Sequence, residues 1–552
     1  MLAFASYSPS LLFLASSVFA LATIAFLVLI PLFLLAVTSL KAYREHDLLP
    51  DSLPFIGKQS GELLSSLRAN IRGATQSARL FAEAYAKYSL NQMVSIVPTW
   101  TKGPQVLVPP SLIPWLSQQP SHIMNAKDCT FENMQFAYTV QHPEITHNDL
   151  LDLMIKRELT KSVGALNDEI VQEIEECMEE LFGGEVDGDG EAEWREVGVW
   201  DSMIKLVARS ANRVFVGPEL CKNEEYLMSC VRWTRDIQVS GAIMHMIPKF
   251  LKPYIARLAT IPNRRDTAIN LKHSTPLVER RIADMTRKLN DKTFDYEAPD
   301  DLLTWMIQES FKRSTESERS AHSLAYRLLL LNFAAVSTST IGGANAVLDV
   351  LATSPSDEVV PILREEAERV MAEHGGIWTR AAVNKLHRLD STLRESARYS
   401  GVGGTGLARR VRSEDGVLLP IDGKDGKKVW VPKGATVGVA QAGVHFDERF
   451  YGKTASMFDA FRFSRPKEDG VATANEDLVT TSPHFLAFSH GVHACPGRFF
   501  AANQLKLIMA NLVLNYDIQP LPSRPANTPL GDVMIPPIKA TMKIRRRKRD
   551  GL

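Results

Sequence analysis

Two long apolar runs stand out in this chain, and they suit different surroundings. From Leu11 to Leu40 nearly every residue is apolar or small, and no charged side chain precedes Lys41. A helix needs about 20 such residues to cross the hydrocarbon of a bilayer, so this run can span with tilt. Lys41 and Arg44 follow it and no basic residue precedes it, which orients the remainder toward the cytosol. Ser17-Val18-Phe19-Ala20 loosely resembles a signal cleavage site, but the apolar run continues past it and no basic stretch comes before. Residues 1–45 are therefore expected to be a retained membrane anchor, its helix within 11–40. The second run, around Leu328 to Val336, lies inside a segment patterned as one helix from Glu318 to Thr353. A helix apolar nearly all round belongs in a large core or a membrane. Glu316, Glu318, Arg319, Arg327 and Asp349 leave too short an uncharged stretch to span, so a core helix is expected.

Between these runs, Leu49 to Gly57 carries two prolines and reads as a stiff hinge within residues 46–60. Apolar residues then recur at helical spacing over Leu150–Gly164, Asn167–Phe182 and Trp200–Val216. Val411–Val439 differs: short β-rich runs are broken by Asp415-Gly416, Asp422-Gly423 and Pro432-Lys433-Gly434. Leu505, Ile508, Met509 and Leu512 restore the helical period after Pro496. The pattern predicts a mainly α chain with a small β portion, an α+β fold, in which residues 61–552 form one domain.

Composition narrows the chemistry. The 552 residues carry a formal net charge of zero, which gives nucleic acid no footprint. Five cysteines, odd in number and widely scattered, argue against a disulfide framework and for a reducing compartment. No Cys-x-x-Cys or paired-histidine spacing along the sequence suggests zinc. Gly401-Val402-Gly403-Gly404-Thr405-Gly406 matches a dinucleotide fingerprint letter for letter, but it follows a helix and precedes β-rich sequence, so it reads as a loop. Asp187 to Glu191 lacks the later ligands of a calcium loop and reads as a solvated insert. Lys543 to Arg549 reads as a basic tail, solvated or touching anionic lipid.

The most informative segment is Phe488-Ser489-His490-Gly491-Val492-His493-Ala494-Cys495-Pro496-Gly497-Arg498. Proline fits the first position of a helix, which would put Cys495 at a helix N-terminus. Free N–H groups and the positive dipole end favour a thiolate there. Gly491 and Gly497 leave the backbone on both sides of the sulfur bare, so a large flat ligand can approach it. Upstream, Glu395 and Arg398 are three apart and share a helix face.

These motifs resemble those of the cytochrome P450 family, and the resemblance covers the whole chain. Phe488, Gly491, His493, Cys495 and Gly497 match the family's haem-ligand loop, with His493 where arginine is commoner, a variant frequent in fungal members. Glu395 and Arg398 match its Glu-x-x-Arg pair, and Arg462 the third member of that buried structural triad. Thr338 matches the distal-helix threonine that relays protons to oxygen, while Ser337 stands where the family carries an acidic residue, which puts carboxylate-assisted proton supply in doubt. The resemblance implies haem b with Cys495 as axial iron ligand, His493 bonded to a haem propionate, O2 as co-substrate, and electrons from an NADPH-dependent flavoprotein reductase. It further implies anchorage in the endoplasmic reticulum membrane, contact with lipid, and oxygen insertion into a small apolar molecule. Asn212 to Gly217 and Phe333-Ala334-Ala335 are similar to fungal members acting on terpenoid, indole-diterpenoid and related secondary metabolites; specificity loops are expected around Leu107–His147 and Asp236–Leu258. Two alternatives stay open: the same haem-thiolate chemistry used for desaturation, rearrangement or ring formation, and a non-enzymatic haem-binding membrane protein.

Overall fold

The computed structural model describes residues 32–547 apart from 34, 100–101, 184–191, 314, 424–425, 427 and 471–475. Most of the expected anchor, the insert Asp187–Glu191 and the last residues of the basic tail lie outside the described residues. The body is the mainly α, minor β architecture that the periodicity predicts.

Its axis is the helix Ala321–Leu351, against which Val199–Phe215, Glu224–Met246, Ile261–Asn290 and His387–Tyr399 all pack. Ser320 caps it, its hydroxyl accepting from the Ser323 N–H at 3.2 Å, so the helix starts three residues later than the apolar pattern alone implies. Among the described residues it is the helix long and apolar enough to cross a membrane, yet most of it is buried against protein, as its flanking charges predicted. Gly343 permits one close crossing: a Cβ there would lie 2.6 Å from the Met203 sulfur.

The helix Asn167–Phe182 has the bounds its pattern implies, and Val199–Phe215 is offset by one residue. The segment from Leu150 does not run as one α-helix. It passes from Leu150–Met154 through a π turn, Ile155–Leu159, to Thr160–Ser162. Such a wide turn cannot be read from apolar spacing, and turns of this kind gather at functional sites.

Strands from both ends of the domain meet in one sheet. Its order is Ser95–Val97, Gln105–Leu107, Thr436–Ala440, Thr405–Val411 and Met124–Asn125, with only the Gln105–Leu107 and Thr436–Ala440 pair parallel. Ile96, Val106, Val437 and Val439 form its buried face, a second core beside the helical one. The basic tail is not the solvated segment its charges implied. Thr541–Arg546 is a strand between Arg195–Gly198 and Tyr516–Ile518, with Met542 and Ile544 buried and Lys543 and Arg545 on the opposite face. Arg546 and Arg547 pair with Glu179 and Glu368.

Candidate active site

The Cys495 loop is fixed by its own backbone. The Cys495 N–H donates to Phe488 O at 2.8 Å and the Ala494 N–H to Gly491 O at 3.0 Å. Gly491 has φ 74°, and a Cβ there would stand 2.6 Å from Ser117 O, so no other residue fits. Arg498 ties the loop from below, donating to Cys495 O at 2.8 Å and Val479 O at 3.0 Å. The helix that follows begins at Arg498 with Gly497 as its cap, so Pro496 precedes it by two residues instead of opening it. Burial pushes the Cys495 thiol up, while the Gly497 and Arg498 N–H groups and the Arg498 charge act the other way, toward thiolate. All five cysteines are free, and Cys495 alone is partly exposed.

Below this loop lies the triad. The Arg398 guanidinium is bidentate on the Glu395 carboxylate, both bonds 2.7 Å, and neither side chain has any exposure. Arg462 adds a bond to the same carboxylate at 3.1 Å, and the Asp459 N–H another at 3.1 Å. The remaining guanidinium protons go to nearby oxygens: Arg398 to the carbonyls of His445, Ala455 and Met457, Arg462 to those of Tyr451, Thr454 and Met457 and to the Thr454 hydroxyl. His445 carries the network to the loop. Its Nε2 must accept, because its partner at 3.0 Å is the Leu486 N–H; its Nδ1–H therefore donates to Arg398 O at 3.2 Å. Burial lowers its pKa to about 3, so the ring is neutral. Spacing pointed to the triad; nothing near His445 in sequence pointed to its bridging place.

On the central helix, Asn332 and Thr340 are buried, but between them Ala334 and Thr338 are exposed and Phe333, Ala335 and Ser337 half-buried. A core helix with one bare turn and a half leaves space for something that is not protein. The Thr338 hydroxyl donates to Ala334 O at 2.8 Å, which leaves its lone pairs free to accept from a molecule in that space. Thr340 bonds back to Val336 O in the same way at 2.7 Å, but is buried. The central helix and the Cys495 helix approach at Gly342, where a Cβ would lie 3.6 Å from Leu505. At Gly497 a Cβ would meet only Ile155, 4.0 Å away on the π turn, so protein packing does not account for that glycine.

A flat dicarboxylate macrocycle fits these residues, on evidence the motifs did not include. Arg409 is buried on strand Thr405–Val411, donates once to Ala408 O, and leaves Nε and Nη2 buried without a partner. Burial lowers its pKa to about 10. A guanidinium kept in this state calls for an anion. Its charge reaches His493, whose pKa is lowered by burial and then by Arg409, Lys156 and Lys127. His493 Nε2 lies 3.4 Å from the Ser121 hydroxyl. A partly exposed thiol beside bare glycine backbone, an uncovered turn of the central helix and a buried guanidinium lacking two partners suit haem and its propionates. In sequence Arg409 is a charged residue just before the β-rich Val411–Val439 stretch, with nothing to mark it as buried.

Comparison with known proteins agrees with this geometry. The family model described as Cytochrome P450 matches residues 152–544. The chain is 31% identical over 501 residues to cytochrome P450 monooxygenase gloP of Glarea lozoyensis, covering 88% of this chain and 90% of that one. It is 30% identical over 511 residues to cytochrome P450 monooxygenase polB of Polytolypa hystricis, with 90% and 94% covered. Cytochrome P450 monooxygenase 151 of Postia placenta is 32% identical over 500 residues, again with 90% and 94% covered.

Proposed function

The chain belongs to the cytochrome P450 family, and on that premise we propose that it is a haem b monooxygenase of fungal secondary metabolism acting on a small apolar molecule, terpenoid-type, indole-diterpenoid or related. In this reading it is anchored by residues within 11–40 in the endoplasmic reticulum membrane, with residues 61–552 in the cytosol, and receives electrons from an NADPH-dependent flavoprotein reductase. The observation that carries it is the pairing of a partly exposed thiol, fed by two backbone N–H groups, with an uncovered turn of an otherwise buried helix.

When bound, haem supplies oxygen activation, and a thiolate ligand favours O–O cleavage. The chain's residues supply the rest. Cys495 would hold the iron, with its thiolate steadied by the N–H groups of Gly497 and Arg498. Arg409 and His493 would hold the propionates. Phe488 closes one side of the loop and Gly491 and Gly497 keep the approach bare. Glu395, Arg398 and Arg462 hold the irregular chain under the loop and touch no reactant. Thr338 accepts a hydrogen bond from water at the helix opening and passes protons there, with Ser337 beside it in place of a carboxylate. That substitution favours one further reading, in which the same site performs desaturation, rearrangement or ring formation.

Cys495→Ser is expected to abolish the red-shifted Soret band of the reduced CO complex in a protein that still folds. A retained band would remove the sulfur from its role. Turnover under 18O2 with extracts of the source organism separates the two readings: label in product supports insertion, and an oxygen-neutral product supports the second.

A further inference from the structure

The fold brings together two histidines that lie 180 residues apart in sequence, where no paired spacing was visible. His142 stands between the short helices Phe136–Thr139 and Pro143–His147; His322 is the second residue of the central helix. Their Nε2 atoms are 3.0 Å apart, with ring centroids at 5.0 Å and planes at 80°. Glu144 Oε1 lies 3.0 Å from His142 Nδ1. An ionised carboxylate only accepts, so the His142 proton sits on Nδ1 and its Nε2 lone pair is bare. The proton in the gap therefore belongs to His322.

A carboxylate on the far nitrogen of a histidine is the usual support of a metal-bound imidazole. A metal–nitrogen length of about 2.0–2.1 Å and a tetrahedral angle put two ligand nitrogens about 3.3 Å apart, roughly 0.3 Å from the spacing here. The His142 ring is held in place: Tyr326 meets it edge-on at 5.2 Å, and the Tyr326 hydroxyl accepts from the adjacent Gln141 N–H at 3.0 Å. Among the described residues no group of three or more His, Cys, Asp or Glu converges for a metal, so the site offers two imidazoles and leaves the other positions to water. Such a donor set selects Zn2+, Ni2+ or Cu2+ over Mg2+ or Ca2+.

We propose that His142 and His322 form a binding site for a divalent transition-metal cation, Zn2+ in the first instance, that staples residues 136–147 to the start of the central helix. On binding, the His322 proton shifts from Nε2 to Nδ1 by exchange with water, so two neutral imidazoles ligate without net proton release. The staple has a route to the helix opening. Phe136, six residues before His142, packs edge-on against Phe333 at 5.7 Å, and Phe333 borders the uncovered turn. Zinc would hold that ring pair closed.

The test is calorimetric titration of ZnCl2 into the detergent-solubilised full-length holoprotein at neutral pH. One saturable zinc per chain is expected, with affinity falling at least ~10-fold in His142→Ala and in His322→Ala, and by a similar factor in Glu144→Gln, whose side chain is exposed and whose loss leaves both ligands in place. The reduced-CO spectrum of each variant certifies its fold. Absence of saturable binding in the parent protein overturns the proposal, as does undiminished binding in the two histidine variants or in Glu144→Gln.

Discussion

The two sides of the candidate site are built on opposite terms. Under Cys495 every guanidinium proton of Arg398 and Arg462 has an acceptor, and the buried Glu395 carboxylate takes bonds from both and from a backbone N–H. Across from it, the central helix offers Ala334 and Thr338 bare, and its one threonine hydroxyl there is bonded only to its own backbone. The first side tolerates no missing partner, because a buried charge left alone is costly. The second loses almost nothing when a side chain is trimmed. Position is stored on the Cys495 side, and the other is left open.

Breaking the thiolate side should therefore have the largest effect. Glu395→Gln leaves two arginines facing a neutral amide, and an unfolding free-energy loss of about 3–5 kcal/mol is expected. Urea denaturation measures it, and a loss under about 1 kcal/mol would mean that the pair does not hold the loop. Acid attacks the same side through a different group. His445 has its pKa lowered to about 3, and His46 and His245 to about 4, all by burial. Unfolded histidines take up protons near 6.5 while these stay neutral in the native state, so their contribution is complete above pH 6.5 and erodes as pH falls toward 3–4. Each should cost about 1.4 kcal/mol per pH unit in that window. Equal denaturation midpoints at pH 7 and pH 5.5 would contradict this.

Arg409→Ala sharpens the contrast, since it removes a buried cation that protein satisfies only through Ala408 O. Haem should dissociate faster, while the haem-free protein keeps or gains stability by about 1 kcal/mol. Comparing haem transfer with the melting of the haem-free form tests both halves, and unchanged haem retention would detach Arg409 from the propionates. The smallest structural effect belongs to Thr338→Ala, expected within about 0.5 kcal/mol of the parent. Its consequence is functional: NADPH oxidation should continue while product per NADPH falls. Unchanged coupling would assign the proton to another group.

What the sequence made legible follows from the range of the forces involved. Glu395 with Arg398, and the loop from Phe488 to Gly497, are set by neighbours within a turn or two, so spacing reveals them. The core helix was readable because its flanking charges exclude a span. Arg409 and His445 were not, because their meaning lies in what fails to reach one and in two distant backbone groups that reach the other. The π turn at Ile155–Leu159 and the strand Thr541–Arg546 depend on partners elsewhere: the first lies beside Gly497, and the second is stitched between two strands that its charges do not announce.

Apart from that of His445, the carbonyls that Arg398 and Arg462 collect come from Tyr451, Thr454, Ala455 and Met457, a stretch with little regular structure. Surface loops ordinarily vary freely in length and only loosely in composition. Here the rule is inverted. Apart from the Thr454 hydroxyl, the recognised atoms are main-chain oxygens, which every amino acid possesses, so side chains along this stretch other than Thr454 and Tyr451, whose ring faces the Arg398 guanidinium, are free to drift. Its length is not, because one inserted or deleted residue would move each oxygen off its guanidinium. Between related chains, this segment should behave as a ruler: changeable in its letters, constant in its count.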